Sequence, residues 1–183
     1  MNLNNKMSLF YIFGLILILY LVVTLGLYIF QRKLLYYPNF NSHLTGEGLI
    51  HSFENINIKT KDNINLKGWF YLKDPEKKTI LFFHGNAGTL DNRIYKLNFL
   101  GNLDVNFLII AWRGFSGNNG KPSEKGLYID GNSAIEWLKN LGLTESDIVI
   151  YGESLGTGVA TEIAQSNNYA GLVLETPFTS MID

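Results

Sequence analysis

Gly152-Glu153-Ser154-Leu155-Gly156 sets a serine between two glycines. An apolar run, Asp147-Ile148-Val149-Ile150-Tyr151, precedes it, and a helix-like run, Gly158-Val159-Ala160-Thr161-Glu162-Ile163-Ala164, follows. A serine is well placed as a nucleophile when a sharp strand-to-helix turn holds it in strained backbone geometry. Small flanking residues then let strand and helix approach closely. Gly-x-Ser-x-Gly recurs by chance, and the plainer reading is a glycine-rich turn with an incidental serine. The strand-turn-helix setting is what makes the pattern specific. Attack on an acyl carbon creates an oxyanion that needs two N–H donors, one after the nucleophile and one from the loop after the third strand. Leu155 supplies the first from its backbone. A second apolar run, Thr79-Ile80-Leu81-Phe82-Phe83, leads into His84-Gly85-Asn86-Ala87-Gly88, where Asn86 supplies the other donor, with Ala87 the alternative.

Three further segments join these two: Trp112-Arg113-Gly114-Phe115-Ser116-Gly117, Lys121-Pro122-Ser123-Glu124-Lys125-Gly126-Leu127-Tyr128 and Glu175-Thr176-Pro177-Phe178-Thr179-Ser180. Together, and in this order, they resemble the α/β-hydrolase superfamily, in particular its membrane-anchored, bud-emergence-like branch related to serine aminopeptidases and prolyl oligopeptidases. The likeness runs from about residue 50 to the end, and Thr157 stands where the family often has another glycine. It implies a three-layer α/β fold with a mostly parallel sheet and Ser154 as nucleophile. It also implies that His84 and Gly85 support the oxyanion loop rather than react. Arg113 falls on the sheet edge where ligands bind in such folds. It is expected either to brace its loop or to meet a substrate carboxylate or phosphate.

The family's triad runs serine, acid, histidine. Twenty-nine residues follow Ser154 and none is histidine; His43, His51 and His84 all precede it. Glu175 lies where some hydrolases carry the acid, but a structural part is expected of it here. Loss of the triad histidine in a serine protease costs about 10⁶ in turnover. The chain is therefore expected to be nearly inactive alone, as a C-terminally truncated hydrolase. Two alternatives are a catalytically silent membrane-tethered binding domain and one half of a two-chain hydrolase.

The elements that must position these residues are legible. Residues 54–60 alternate in polarity and 65–71 pair with them across an Asp62-Asn63 turn. Three βα steps follow: residues 80–83 with a helix near 91–100, 105–111 with a helix near 124–140, and 148–151 with a helix near 157–166. Continuously apolar strands separated by helices imply a parallel sheet covered on both faces. Ser123 caps the middle helix, whose stripe of Leu127, Ala134, Ile135, Leu138 and Leu141, with Trp137, is read as core. Gly171-Leu172-Val173-Leu174 is as apolar as an interior strand, yet nothing follows to pair its outer side. An open apolar edge invites association.

Residues 9–30 carry no charge, and sixteen of these twenty-two are Leu, Ile, Val or Phe. As a helix the run spans roughly 33 Å, enough for a hydrocarbon core. Gln31-Arg32-Lys33 follows where a signal peptide would carry a small-residue cleavage site. Tyr28, Tyr36, Tyr37, Arg32 and Lys33 fit an interfacial belt. A single-pass anchor is expected, with its orientation open because basic residues flank both ends. The expected organisation is a tail at 1–8, the anchor at 9–30, a membrane-proximal linker at 31–50 and a partial hydrolase domain at 51–183. Net charge is −1 and the pI near 6.3, which gives no case for nucleic acid. With no cysteine and no metal-spaced histidine cluster, neither a disulfide, a metal nor a cofactor is expected. The family resemblance implies a small acyl or lipid-like substrate.

Overall fold

A computed structural model describes residues 3–39, 44–165 and 168–179; His43, Ser180 and part of the 31–50 linker lie outside the described residues. The chain forms two compact units, Met1–Tyr36 and Tyr37–Asp183.

The first unit is one helix, α1 (Leu3–Leu35). Its stretch Phe10–Leu35 has a mean hydropathy of 2.7 and none of it is buried, so the helix is long and apolar enough to cross a membrane. Apolar residues surround it on all sides, as a lipid-facing helix requires. Thr24 Oγ1 donates to Tyr20 O at 2.8 Å, so its hydroxyl is satisfied within the helix.

The second unit carries a sheet of six described strands in the order β1-β2-β4-β3-β5-β6. These are β1 (Glu54–Lys59), β2 (Asn65–Tyr71), β3 (Thr79–Phe83), β4 (Asn106–Ile110), β5 (Ile148–Glu153) and β6 (Gly171–Glu175). β1 pairs antiparallel with β2 and β2 with β4, while β3, β4, β5 and β6 run parallel. Three helices connect them: α2 (Ile94–Gly101), α3 (Glu124–Asn140) and α4 (Leu155–Ala164). Every residue of β3 and β4 is buried, the mark of strands covered on both faces. Leu97 and Leu100 of α2 share a core with Ile80, Phe82, Phe107 and Ile109. Phe83 faces the other way, toward Gly131 of α3.

From β3 the chain moves one way across the sheet to β4, and from β5 it moves the other way to β6. Right-handed crossovers therefore send α2 to one face and α4 to the other. In open α/β sheets ligands bind where neighbouring connections diverge like this, here the carboxyl ends of β3 and β5.

Some elements differ from the sequence expectation. The helix expected near 91–100 opens as a 3₁₀ turn, Leu90–Arg93, before α2 begins. α4 starts at Leu155 rather than 157, because the positive φ of Ser154 completes the turn in one residue. Leu141 is exposed, since it caps α3 beyond its last packed turn. Trp137 is half-buried, edge-on to Phe70 at 5.1 Å. β5 alternates in burial, and β6 leaves Leu172, Val173 and Leu174 43, 42 and 37 % exposed at the sheet edge.

Candidate active site

Ser154 joins β5 to α4 with φ 48° and ψ −114°. This is a left-handed φ that a side-chain-bearing residue adopts only when its surroundings impose it. Both flanking glycines explain how. A Cβ on Gly152 would lie 2.7 Å from Gly156 O and 2.8 Å from Ala160 Cβ, and one on Gly156 would collide with Phe83 O. The first turn of α4 thus packs backbone to backbone against the ends of β3 and β5. Ser154 N–H donates to Glu175 O at 2.9 Å, while Thr157 N–H and Oγ1 donate to Ser154 O at 2.8 and 2.6 Å. Thr157 therefore ties down the turn from within the helix. Leu155 is the first residue of α4, where helix N–H groups lack intrahelical acceptors.

The loop after β3 reaches the same place, for a Cβ on Gly85 would stand 3.4 Å from Ser154 Cβ. His84 is fully buried beneath it. Its Nδ1 lies 2.7 Å from Gly85 O and must be the protonated nitrogen, leaving Nε2 to accept Trp112 N–H at 3.2 Å. Trp112 Nε1–H returns to His84 O at 2.9 Å. Burial, with the nearby Arg93 charge, lowers the His84 pKa to about 3, so the ring is neutral. Both ring nitrogens are thus committed to bracing the loop.

Sequence reasoning missed Arg93. Its guanidinium donates to Ala87 O at 2.8 Å, Gly85 O at 3.3 Å, Thr89 O at 3.3 Å and Asn86 O at 3.4 Å. Because a trans peptide holds N–H antiparallel to the preceding C=O, gathering Gly85 O onto Arg93 turns Asn86 N–H the opposite way. Ala87 N–H, the alternative donor, is taken by Asn86 Oδ1 at 3.0 Å. An arginine nine residues past a strand-end histidine carries no sequence signal of this role.

A second missed cluster lies beside the serine. Lys96 Nζ sits 2.7 Å from Glu175 Oε2 and 3.3 Å from Glu153 Oε2, over the Phe82 and Tyr151 rings. Tyr151 OH donates to Glu175 Oε2 at 2.6 Å. Glu153 and Glu175 are register partners on adjacent strands, so Lys96 separates two carboxylates that would otherwise repel. The Lys96 and Tyr151 hydrogen bonds hold the Glu175 pKa below its usual value. Burial pulls Lys96 down, but the two carboxylates outweigh it and its pKa is raised. Glu175 is thus occupied by a cation and a phenol.

Arg113 is buried between two aspartates. It donates to Asp62 at 2.7 and 3.1 Å and to Asp130 Oδ1 at 2.9 and 2.7 Å, and its backbone N–H reaches Asp130 Oδ2 at 2.9 Å. The arrangement pins the β4 loop to the β1–β2 turn and to α3. Burial raises the Asp130 pKa to about 6 against these donors, and Arg113 holds Asp62 down to about 2. Sequence reasoning missed Asp130 as well, although an acid inside an apolar helix stripe was the signal that could have found it. Asn118 pins the same loop, accepting Lys67 N–H at 3.1 Å and donating to Ala111 O at 2.8 Å. His51 lies elsewhere, against Tyr71 with ring centroids 5.2 Å apart.

No family model matches the chain. It is 34 % identical over 175 residues to Protein bem46 of Schizosaccharomyces pombe, covering 88 % of this chain and 58 % of that protein. It is 30 % identical over 161 residues to the lysophosphatidylserine lipase ABHD12 of Danio rerio, covering 74 % and 42 %. The solved structure of the Pyrococcus furiosus esterase Pf2001 superposes with a TM-score of 0.60 at 22 % identity, over 75 % of this chain and 56 % of that one. The chain spans about half the length of these curated relatives. With the mixed sheet and these likenesses, the chain belongs to the α/β-hydrolase superfamily, on its bem46-like branch.

Proposed function

We propose that this chain is the nucleophile-bearing part of a membrane-anchored serine hydrolase that cleaves an ester, thioester or amide of a lipid-like acyl compound. The observation that carries the reading is the strained Ser154 backbone, φ 48°, on the β5–α4 turn beside the Gly85 loop. Ser154 Oγ bonds to the acyl carbon while its proton passes to a base. The leaving alcohol, thiol or amine takes up that proton, and water then cleaves the acyl-enzyme. Leu155 N–H and Asn86 N–H hold the oxyanion. His84 and Gly85 support the loop, and Arg113 positions the β4 loop rather than binding substrate. Residues 9–30 anchor the protein, and 51–183 form the part of the catalytic domain in hand.

The triad base and acid come, in this reading, from sequence that the relatives possess and these 183 residues do not span. Support comes from the commitment of the His84 ring nitrogens and of Glu175 to structural bonds, and from the lipase name of the ABHD12 relative. Fluorophosphonate labelling of the protein in its native membranes tests it, with peptide mapping of the adduct. The expected adduct is on Ser154 and is absent in Ser154→Ala. Absence of any Ser154 adduct overturns the reading in favour of a catalytically silent tethered domain.

A further inference from the structure

The Arg93 clamp and the Lys96 cluster meet at one carboxylate. Glu153 ends β5 and precedes Ser154. Its Oε2 is buried, 3.3 Å from Lys96 Nζ and 3.9 Å from Arg93 Nε. Its Oε1 lies 3.2 Å from where a Cβ on Gly85 would stand, so the carboxylate already rests against the loop after β3. The Arg93 and Lys96 side chains are only 9 and 11 % exposed, and salt and water screen such a group of charges little. A guanidinium is a rigid planar fork. Arg93 turns Nη1 and Nη2 to the carbonyls of Gly85, Asn86, Ala87 and Thr89, and Nε toward Glu153. At 3.9 Å the Nε contact is too long for a hydrogen bond. Drawing Nε in to bonding distance would move the whole fork and take Nη1 and Nη2 off the loop. Glu153 and the loop carbonyls therefore compete for one cation. Lys96 sets the balance, because it lies closer to Glu153 than Arg93 does and spans to Glu175 Oε2 at 2.7 Å.

We infer that Lys96 is a positioning residue for the oxyanion hole: by supplying the counter-charge of Glu153, it leaves Arg93 on the carbonyls that orient Asn86 N–H. This rests on the hydrolase reading, since an oxyanion hole is needed only if Ser154 attacks an acyl carbon. Without the Lys96 charge the Glu153 carboxylate draws Arg93 inward. The loop carbonyls then lose their donor, and Asn86 N–H turns away from the developing oxyanion. Lys96 makes and breaks no bond in the reaction. It governs where a donor points, and transition-state stabilisation is sensitive to that placement.

Two readings test this. One is the rate of fluorophosphonate labelling of Ser154 in native membranes, where the phosphoryl oxygen uses the same donors as an acyl oxyanion. The other is amide hydrogen exchange at residues 85–88 of the full protein in detergent micelles. Lys96→Met is expected to slow labelling about tenfold or more and to speed exchange at 85–88 several-fold. Lys96→Arg keeps the charge and is expected to retain both readings. Lys96→Met/Glu153→Gln removes the carboxylate that draws Arg93 away and is expected to recover both, which a mere loss of packing would not allow. If Ser154 is labelled and Lys96→Met leaves either reading unchanged, or the double variant is no better than the single one, the inference is overturned. Lys96→Gln, which can still hydrogen-bond both carboxylates but carries no charge, replaces Lys96→Met if that variant does not fold. Exchange does not depend on serine chemistry. With no Ser154 adduct in any form, exchange that the double variant reverses keeps the Lys96–Arg93 coupling and overturns the hydrolase reading, while unchanged exchange overturns both.

Discussion

Ser154 and His84 show how single residues bear cost in this site. The serine carries backbone strain that two glycines and Thr157 enforce, and the histidine is kept neutral where water would let it ionise. The His84 pKa is lowered in the fold from an ordinary 6.5 to about 3, so the unfolded chain binds the extra proton first. Its contribution to stability is complete above the unfolded value and is lost as pH falls from there toward about 3. The slope is about 1.4 kcal/mol per pH unit. Urea unfolding at about pH 7.5 and about pH 5.5 should show this loss, and His84→Gln should flatten it while lowering stability at both. Arg113 makes the opposite case. Asp130 is fully buried against it, so Arg113→Met strands a buried carboxylate and should cost about 3–5 kcal/mol in the same assay.

At the scale of elements, the site depends on how closely α4 approaches β3. Gly156 makes that approach possible, since any Cβ there meets Phe83 O. Gly156→Ala should destabilise by about 3 kcal/mol or more. Gly171→Ala, where the added methyl meets only Val149 Cγ1 at 3.7 Å, should stay within about 0.5 kcal/mol. Thermal unfolding followed by circular dichroism separates the two. Gly-x-Ser-x-Gly announced the tight turn because the motif is local, and so were the β1–β2 hairpin and the Ser123 cap. The Lys96 cluster was not legible, because Lys96, Tyr151, Glu153 and Glu175 lie on three elements that only the parallel register brings together. The Arg93 clamp was hidden for a related reason. Its acceptors are backbone carbonyls, which have no signature in side-chain identity.

At the scale of the whole molecule, the described residues of α1 and of β6 both expose apolar side chains. The anchor reading predicts that the full chain stays with membranes through alkaline carbonate extraction, and that residues 37–183 alone are released. The β6 edge predicts self-association of that released unit. Val173→Lys, at a position 42 % exposed on β6, should lower its apparent mass in light scattering. An inward or edge charge opposes strand addition.

The sequence by itself determined what is encoded by local pattern. It set the apolar run of α1, the alternation of strands and helices, the serine turn and the loop after β3. Hydrophobic period, glycine placement and capping act over a few residues, so they can be read without coordinates. Only the tertiary structure decided the direction of the strand crossovers and the meeting of the Gly85 loop with the serine turn. It also decided the commitment of His84, Glu175 and Arg113 to structural bonds. Each of these joins groups far apart in the chain, and a contact of that kind exists only once the sheet register and helix packing have brought its partners within hydrogen-bonding distance.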